Sequence, residues 1–210
     1  MIVVALDGPS GSGKSSTSKG VAMRAGWSYL DTGALYRAIT YIALSIKSEK
    51  SSDILNELKR LPISFTADPK NPKVFIGDKD ISVDIRSHEV TSAVSVISAL
   101  PEIRAELLSL QRSIIAKAER GIVVEGRDIG SVVAPSAQLK IYLTADLEAR
   151  AKRREAELNV DKDLSQSLAT RDEKDSTRKV SPLEKAIDAV EVDSTELSLE
   201  ETVDLIWELL

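Results

Sequence analysis

An apolar segment near the start of the chain runs directly into a glycine-rich loop that contains one lysine. The apolar segment covers residues 2–6, and the loop that follows it has the spacing G-x-x-x-x-G-K-S from Gly8 to Ser15. Between a buried strand and a helix, this spacing is that of a phosphate-binding loop, or P-loop. Its glycines let backbone N–H groups point at one anion, and the next helix directs the positive end of its dipole there. The chain is therefore predicted to bind a nucleoside triphosphate.

Two side chains of this loop have specific predicted roles. Lys14 supplies a positive charge that can reach the β- and γ-phosphates, and the hydroxyl of Ser15 can bind Mg²⁺. A glycine-rich connection with a chance lysine is the alternative, and the flanking strand and helix patterns argue against it. The predicted ATP-binding residues are Gly8, Pro9, Ser10, Gly11, Ser12, Gly13, Lys14, Ser15 and Ser16.

Five short runs rich in Val, Ile and Leu alternate with helical patterns along the chain. The runs cover residues 2–6, 27–31, 122–125, 139–143 and 189–192. Their nearly continuous apolar character predicts strands buried on both faces, and the alternation with helices predicts a parallel sheet. We therefore predict an α/β fold: a five-stranded parallel sheet of the P-loop NTPase type, flanked by helices, in a single domain over residues 1–210.

Residues 62–86 interrupt this alternation. They contain three of the seven prolines, and the short β-like pieces ISFTA and KVFIG replace helical patterns. We interpret the segment as a small inserted antiparallel sub-domain, and a long loop is the alternative.

Composition limits the classes of partner and chemistry. The 210 residues carry a net charge of −5, which predicts no general attraction to nucleic acid or to an anionic membrane. The absence of cysteine excludes disulfides, thiolate zinc sites and a cysteine nucleophile, and the one histidine, His88, is interpreted as a polar helix residue. Without a membrane-length apolar run or a signal-peptide pattern, we expect a soluble, cytoplasmic protein.

Two further polar segments follow predicted strands. LDTGALYR (30–37) places Thr32 as an N-cap with Arg37 in the helix after it, and VVEGRDIG (123–130) places Arg127 and Asp128 after the third strand. The carboxyl ends of such strands are where open α/β sheets bind ligands. For each arginine alone a surface salt bridge is the better explanation, but together, beside a P-loop, they favour a second phosphate site. Because no guanine-binding N-K-x-D follows a strand, a small-molecule kinase is favoured over a GTPase.

Charged helical patterns occupy the region 150–178. Arg150, Arg153 and Arg154 lie on one predicted helix. Further on, Arg171, Asp175 and Arg178 are spaced to share one helix face. A solvated surface is the simpler explanation, and an arginine-rich lid that closes on the transferred phosphate is the functional one.

Five segments together resemble the bacterial cytidylate (CMP/dCMP) kinases, in order and over nearly the whole chain. They are GPSGSGKSS, LDTGALYRA, SVISALPEIR, VVEGRDIGSVVAP and RDEKDSTRKVSPLEKAIDA. Many families share the first segment, whereas the last two are specific to this one. The resemblance implies phosphoryl transfer from ATP to CMP or dCMP with Mg²⁺, a monophosphate-binding region at 62–98 and a lid at 150–178. A monomer is expected. A kinase for another small acceptor (UMP, AMP or shikimate) and a nucleotide-binding switch without transfer activity remain the alternatives.

The resemblance also implies roles for individual residues. The phosphate of CMP would be held by Arg37, Arg127 and Arg178, with Thr32 nearby. Cytosine would be recognised by Ser95, Arg104 and Asp128, and the sugar would lie near Arg171 and Asp175. The implied catalytic residues are Lys14, Arg127, Arg178, Arg153 and Arg154. This chain departs from the family at Lys174, where arginine is frequent, and at Glu125, where some relatives have a shorter acid or another residue.

Overall fold

The computed structural model describes residues 1–158 and 164–210, which group into two compact units. The first unit comprises Met1–Leu30 and Ala118–Leu210, and the second unit comprises Asp31–Lys117. The second unit is thus inserted in sequence between the two parts of the first.

Eight strands and eight helices are present in the described residues. The strands are β1 (Ile2–Asp7), β2 (Ser28–Asp31), β3 (Ile63–Phe65), β4 (Val74–Ile76), β5 (Lys79–Asp80), β6 (Gly121–Gly126), β7 (Leu139–Thr144) and β8 (Val190–Asp193). The helices are α1 (Lys14–Ala25), α2 (Thr32–Ser45), α3 (Ser51–Arg60), α4 (His88–Ile97), α5 (Pro101–Ala116), α6 (Leu147–Leu158), α7 (Ser165–Thr177) and α8 (Leu199–Glu208). A 3₁₀ turn spans Asp84–Arg86, and a π-helical turn spans Ile129–Val133.

The first unit is built on a five-stranded parallel sheet with the strand order β2-β6-β1-β7-β8. Val4 of β1 lies opposite Val123 of β6 and Leu139 of β7. Val4, Ala5 and Leu6 point to alternate faces of the strand and have no exposed surface, as expected for a strand covered on both faces. The predicted α/β class is confirmed, and each predicted strand is present to within one residue at either end. The P-loop leaves the carboxyl end of the central strand.

Helices α1 and α8 pack closely together beside this sheet. A Cβ atom on Gly20 of α1 would lie only 2.6 Å from a methyl group of Val203, so the two helices need glycine at this point. Helix α8 begins with a capping box, in which Ser198 and Glu201 each bind the other's backbone N–H group.

The second unit contains a three-stranded antiparallel sheet, in which β4 lies between β3 and β5. Ile63 lies opposite Ile76, and Phe65 lies opposite Val74. The prediction of an antiparallel insert is confirmed, and the alternative of a long loop is wrong. The binding of a monophosphate by residues 62–98 stays a prediction.

The segment expected to form a lid is helical in the described residues. Helices α6 and α7 account for most of it, and residues 159–163 lie outside the described residues. Helix α7 ends at Thr177, and Arg178 has extended backbone angles, so Arg178 does not share a helix face with Arg171 and Asp175 as predicted. The closing movement of a lid remains a prediction. Over the described ranges, none of the helices combines the length and the apolar character that crossing a membrane requires.

Candidate functional site

The P-loop connects β1 to α1 in a conformation that requires glycine. Gly8 has a φ of 148°, and a Cβ atom there would lie 2.0 Å from the carbonyl oxygen of Leu143. Gly11 has a φ of 79°, and its Cβ would lie 2.9 Å from the carbonyl oxygen of Arg150. Both positions combine a left-handed backbone with close contact to a neighbouring main chain. Packing, as well as access to a phosphate, therefore explains the glycines at positions 8 and 11.

Lys14, the first residue of α1, folds back over this loop. Its Nζ donates to the carbonyl oxygen of Pro9 at 2.5 Å and to Oγ of Ser12 at 3.3 Å. Burial lowers the pKa of the Lys14 ammonium group well below its usual range, and the positive charge of Arg127 adds to this effect. The bound phosphates of a nucleotide would provide the negative charge that favours the protonated form.

A buried carboxylate at the end of β6 lies beside the next residue of the motif. Oγ of Ser15 donates to Oε2 of Glu125 at 3.0 Å, and the hydroxyl of Tyr29 donates to Oε1 of the same carboxylate. Glu125 is only 4% exposed. A hydroxyl and a carboxylate oxygen are the hard ligands that Mg²⁺ prefers, so these residues fit the ion.

A second buried carboxylate, Asp7, ends β1. Its two oxygens accept the backbone N–H groups of Ile129 and Gly130, both at 2.8 Å. Burial raises the pKa of Asp7 to about 6, although the two backbone hydrogen bonds act in the opposite direction. Asp7 thereby anchors the turn that follows Arg127 and Asp128.

Arginine and carboxylate side chains alternate in a cluster beyond this turn. Nε of Arg127 donates to Asp175 at 2.9 Å, and the guanidinium of Arg178 lies 3.8 Å from Asp175 and 3.9 Å from Asp128. Burial alone would raise the pKa of Asp175, but the charges of Arg127 and Arg171 outweigh it, so the pKa is lowered. The structure thus brings together five predicted site residues of the first unit. We call Arg127, Asp128, Arg171, Asp175 and Arg178 the arginine cluster.

The predicted arginines of α6 have different surroundings. Nη1 of Arg153 donates to Oγ of Ser194 at 3.1 Å, and that hydroxyl donates to the carbonyl oxygen of Ser12 in the P-loop at 3.3 Å. Arg154 instead pairs with Glu157 of its own helix at 2.6 Å. Of these two arginines, only Arg153 is linked to the P-loop by contacts among the residues that the structure describes.

In the second unit, Arg37 lies on α2 and is held by the segment before α4 and by α4 itself. Its Nη1 donates to the hydroxyl of Thr91 at 2.8 Å and to the carbonyl oxygen of Ile85 at 3.2 Å. The N-cap of α2 is Asp31, whose carboxylate accepts the N–H of Ala34 at 2.9 Å. The prediction of Thr32 as N-cap is wrong, because Thr32 is already the first helical residue.

Ser95 and Arg104, also in the second unit, are linked through Ser98. Oγ of Ser98 donates to the carbonyl oxygen of Ser95 at 3.3 Å, and Nη1 of Arg104 donates to that of Ser98 at 3.1 Å. The guanidinium of Arg104 lies over the ring of Tyr36, with 5.2 Å between its central carbon and the ring centroid. Arg104 is thus buried and oriented before any ligand binds.

The sequence prediction did not include Asp7, Arg150 or Asp172 among the site residues. Asp7 could have been noticed as an acid that ends a buried strand immediately before the P-loop. Arg150 belongs to the arginines of the predicted lid, but no local signal indicates that Arg150 and Asp172 contact the P-loop, because these contacts join residues more than a hundred positions apart.

Comparisons with known proteins show the family to which the chain belongs. The family model described as cytidylate kinase matches residues 4–210. The cytidylate kinase of Streptomyces griseus is 51% identical over 214 residues, which covers 100% of this chain and 92% of that protein. That of Streptococcus thermophilus is 46% identical over 217 residues, covering 99% and 95%. The crystal structure of shikimate kinase from Bacteroides thetaiotaomicron shares the fold, with a TM-score of 0.50, 12% identity and coverage of 99% and 97%. A family model matched over almost the whole length, and relatives about half identical, place this chain in the cytidylate kinase family.

Proposed function

We propose that the chain transfers the γ-phosphoryl group of ATP to CMP or dCMP, producing ADP and CDP or dCDP. Membership of the cytidylate kinase family supports this reaction directly. The observation that carries it in the structure is the arginine cluster, which lies in the same unit as the P-loop and contains two buried carboxylates. A nucleotide-binding switch without an acceptor would have no need for such a cluster.

On the donor side, the P-loop would hold the phosphates of ATP. Lys14 would pair with the β- and γ-phosphates, and Ser15 with Glu125 would hold Mg²⁺. The bound ion would neutralise charge that develops on the phosphate oxygens. Among residues 1–158 and 164–210 no group of three or more acidic or histidine side chains is placed to hold a metal ion. We therefore expect Mg²⁺ to take its remaining ligands from the nucleotide and water, as is usual in such sites.

On the acceptor side, the nucleophile is a phosphate oxygen of the monophosphate. A phosphate monoester is largely a dianion at neutral pH, so the reaction needs no strong general base. Arg127 and Arg178 would hold this phosphate, and Arg153 would approach the transferred group from α6. Catalysis would then rest on alignment and on neutralisation of charge.

For the base, we propose that Asp128 accepts a hydrogen bond from the exocyclic amine of cytosine. Asp128 is 5% exposed, and Arg178 lies at 3.9 Å from it, so the carboxylate is oriented and shielded from water. Uracil presents an acceptor at the same position and would leave the carboxylate unpaired. The roles of Thr32, Arg37, Ser95, Arg104, Arg171 and Asp175 stay as the family resemblance implies them. We expect a cytoplasmic monomer without a nucleic-acid partner.

The reaction is tested by measuring ADP formation from Mg-ATP with CMP, dCMP, UMP, AMP and shikimate in separate assays. We expect rapid turnover with CMP and dCMP, slow turnover with UMP, and none with AMP or shikimate. If the protein binds ATP but forms no ADP in response to any acceptor, the proposal is wrong and the switch is supported.

The role of Asp128 is tested with Asp128→Asn, which keeps the shape of the side chain and replaces one acceptor oxygen by a donor. The ratio of kcat/KM for CMP to that for UMP should fall by about tenfold or more, because an amide can donate to uracil. An unchanged ratio would refute the assignment of base recognition to this residue.

A further inference from the structure

Both backbone groups of one P-loop residue, Ser10, are bound by a single ion pair from helices α6 and α7. The N–H of Ser10 donates to Oδ1 of Asp172 at 3.0 Å, and its carbonyl oxygen accepts from Nη1 of Arg150 at 3.0 Å. The same guanidinium nitrogen also donates to Oδ2 of Asp172. Nε of Arg150 donates to the carbonyl oxygen of Ala145 at 3.0 Å, which fixes the guanidinium from a third side. We call Arg150 and Asp172 the Ser10 clamp.

The Ser10 clamp is shielded from water. The side chains of Arg150 and Asp172 are 11% and 17% exposed, so salt screens this pair less than it screens a surface ion pair. A hydrogen bond to a charged partner is about twice as strong as a neutral one, and two of them hold the same residue here. The clamp therefore fixes the position of the P-loop relative to α7.

Helix α7 also carries Asp175, the carboxylate that binds Arg127 within the arginine cluster. Asp175 follows Asp172 by three residues, so both side chains lie on one face of the helix. Asp172 binds the P-loop at Ser10, and Asp175 binds Arg127 at 2.9 Å. One turn of α7 therefore connects the loop proposed to hold ATP with an arginine proposed to hold the acceptor phosphate.

We propose that Arg150 and Asp172 are positioning residues that couple donor and acceptor binding: the Ser10 clamp makes α7 transmit the conformation of the P-loop to Arg127. This inference rests on the proposed function, since it assigns Arg127 to the acceptor. Occupation of either phosphate site would then stabilise the arrangement of α7 that the other site needs. Such coupling is reciprocal, because linkage requires each ligand to change the affinity of the other by the same factor.

A purely structural clamp would behave differently. If the ion pair only stabilised the fold, its loss would weaken the binding of each ligand alone or lower the melting temperature. The ratio between CMP affinities with and without the donor nucleotide would stay the same. That ratio, the coupling factor, separates the two roles.

The coupling factor is measured by titration calorimetry with CMP, in the absence and in the presence of a saturating non-hydrolysable ATP analogue with Mg²⁺. For the wild-type chain we expect tighter CMP binding with the analogue, by about tenfold, within the range usual for coupled sites. Asp172→Asn should bring this factor close to one, because the amide cannot accept from both Ser10 and Arg150. In steady-state assays the same variant should lose the dependence of KM for CMP on ATP concentration.

Asp188→Asn is the matched control. Asp188 also forms an ion pair with a buried cation, accepting from Nζ of Lys140 at 2.8 Å on both oxygens, but it lies outside the P-loop and α7. It should keep the wild-type coupling factor. Should Asp172→Asn fail to fold, as judged by circular dichroism, Arg150→Lys replaces it, since lysine keeps the charge but loses the three-way hydrogen bonding. A reduced coupling factor in that variant supports the inference equally.

Two results would overturn the inference. One is a wild-type coupling factor of one in a protein that phosphorylates CMP, which would leave the proposed function intact. The other is a coupling factor in Asp172→Asn, or in Arg150→Lys where it is used, equal to that of the control. Failure of the proposed function is recognised separately, because the wild-type chain would then neither bind CMP nor use it as an acceptor.

Discussion

The buried carboxylate of Asp7 should make the stability of the first unit depend on pH in an unusual direction. Its folded pKa is about 6, against 3.8 for the ordinary side chain. Between these values the folded state binds more protons than the unfolded state does, so the free energy of unfolding falls as pH rises. Most carboxylates in proteins act in the opposite sense, because ion pairs and hydrogen bonds lower their pKa values.

The size of this effect follows from the shift. A change of roughly two pKa units corresponds to about 3 kcal/mol at 1.36 kcal/mol per unit, of which about 2 kcal/mol falls between pH 4.5 and pH 7.5. Asp7→Asn removes the titration. It also loses one of the two backbone hydrogen bonds from Ile129 and Gly130, at a pH-independent cost on the order of 1–3 kcal/mol.

The assay is urea unfolding of the wild-type chain and of Asp7→Asn at several pH values from 4.5 to 7.5. Both tryptophans, Trp27 and Trp207, belong to the first unit, so their fluorescence reports on the unit that contains Asp7. The quantity to compare is the difference between the two free energies of unfolding, in which the titration of distant groups cancels. This difference, wild type minus variant, should fall by about 2 kcal/mol over the range.

Asp188→Asn provides a control, because the pKa of Asp188 is shifted in the opposite direction from that of Asp7. The hydrogen bond from Lys140 lowers the pKa of Asp188, so its contribution to stability is lost only as pH falls below the ordinary value of 3.8. Its difference profile should therefore be flat above pH 4.5. If the profile of Asp7→Asn is equally flat, to within about 0.5 kcal/mol, the reasoning that burial dominates the titration of Asp7 is refuted.

Four further substitutions have effects that individual contacts predict. Gly8→Ala should prevent folding of the first unit, because its Cβ would lie 2.0 Å from a carbonyl oxygen of β7. Gly26 has a φ of 66°, but among the described residues no atom lies near the position of its Cβ, so Gly26→Ala should lower the free energy of unfolding by only about 1–2 kcal/mol. Similar melting curves for Gly8→Ala and Gly26→Ala would contradict this. Tyr29→Phe removes a hydrogen bond to the buried carboxylate at the end of β6 and should destabilise the chain by about 1.5–3 kcal/mol in urea unfolding, whereas a neutral result would mean that this bond contributes nothing. Thr91→Val removes the hydroxyl that accepts a hydrogen bond from Arg37 at 2.8 Å. This variant should raise KM for CMP on the order of fivefold while KM for ATP stays constant. An equal rise in both KM values would argue against a role for Arg37 in binding the acceptor.

The sequence by itself determined the elements whose causes are local. The strands were predictable because uninterrupted apolar runs are stable only when covered on both faces. The P-loop was predictable because its spacing places a strand, a glycine turn and a helix within about fifteen residues. The capping box of Ser198 and Glu201 was predictable because its partners are three residues apart. The sequence could not decide between two adjacent residues that are both good N-caps. Asp31 rather than Thr32 is the N-cap of α2, because Asp31 has the extended backbone that this position requires.

Only the tertiary structure decided which distant residues meet. The strand order β2-β6-β1-β7-β8 places the end of β1 beside the turn after β6, so Asp7 binds Ile129 and Gly130, more than 120 positions away. The contact of Ser10 with Asp172 spans 162 positions. Each of these polar groups would be well solvated in an unfolded chain, and no local pattern indicates which distant residue it will bind. The partner is selected during folding, because a polar group that is buried away from water without a hydrogen-bond partner costs much free energy.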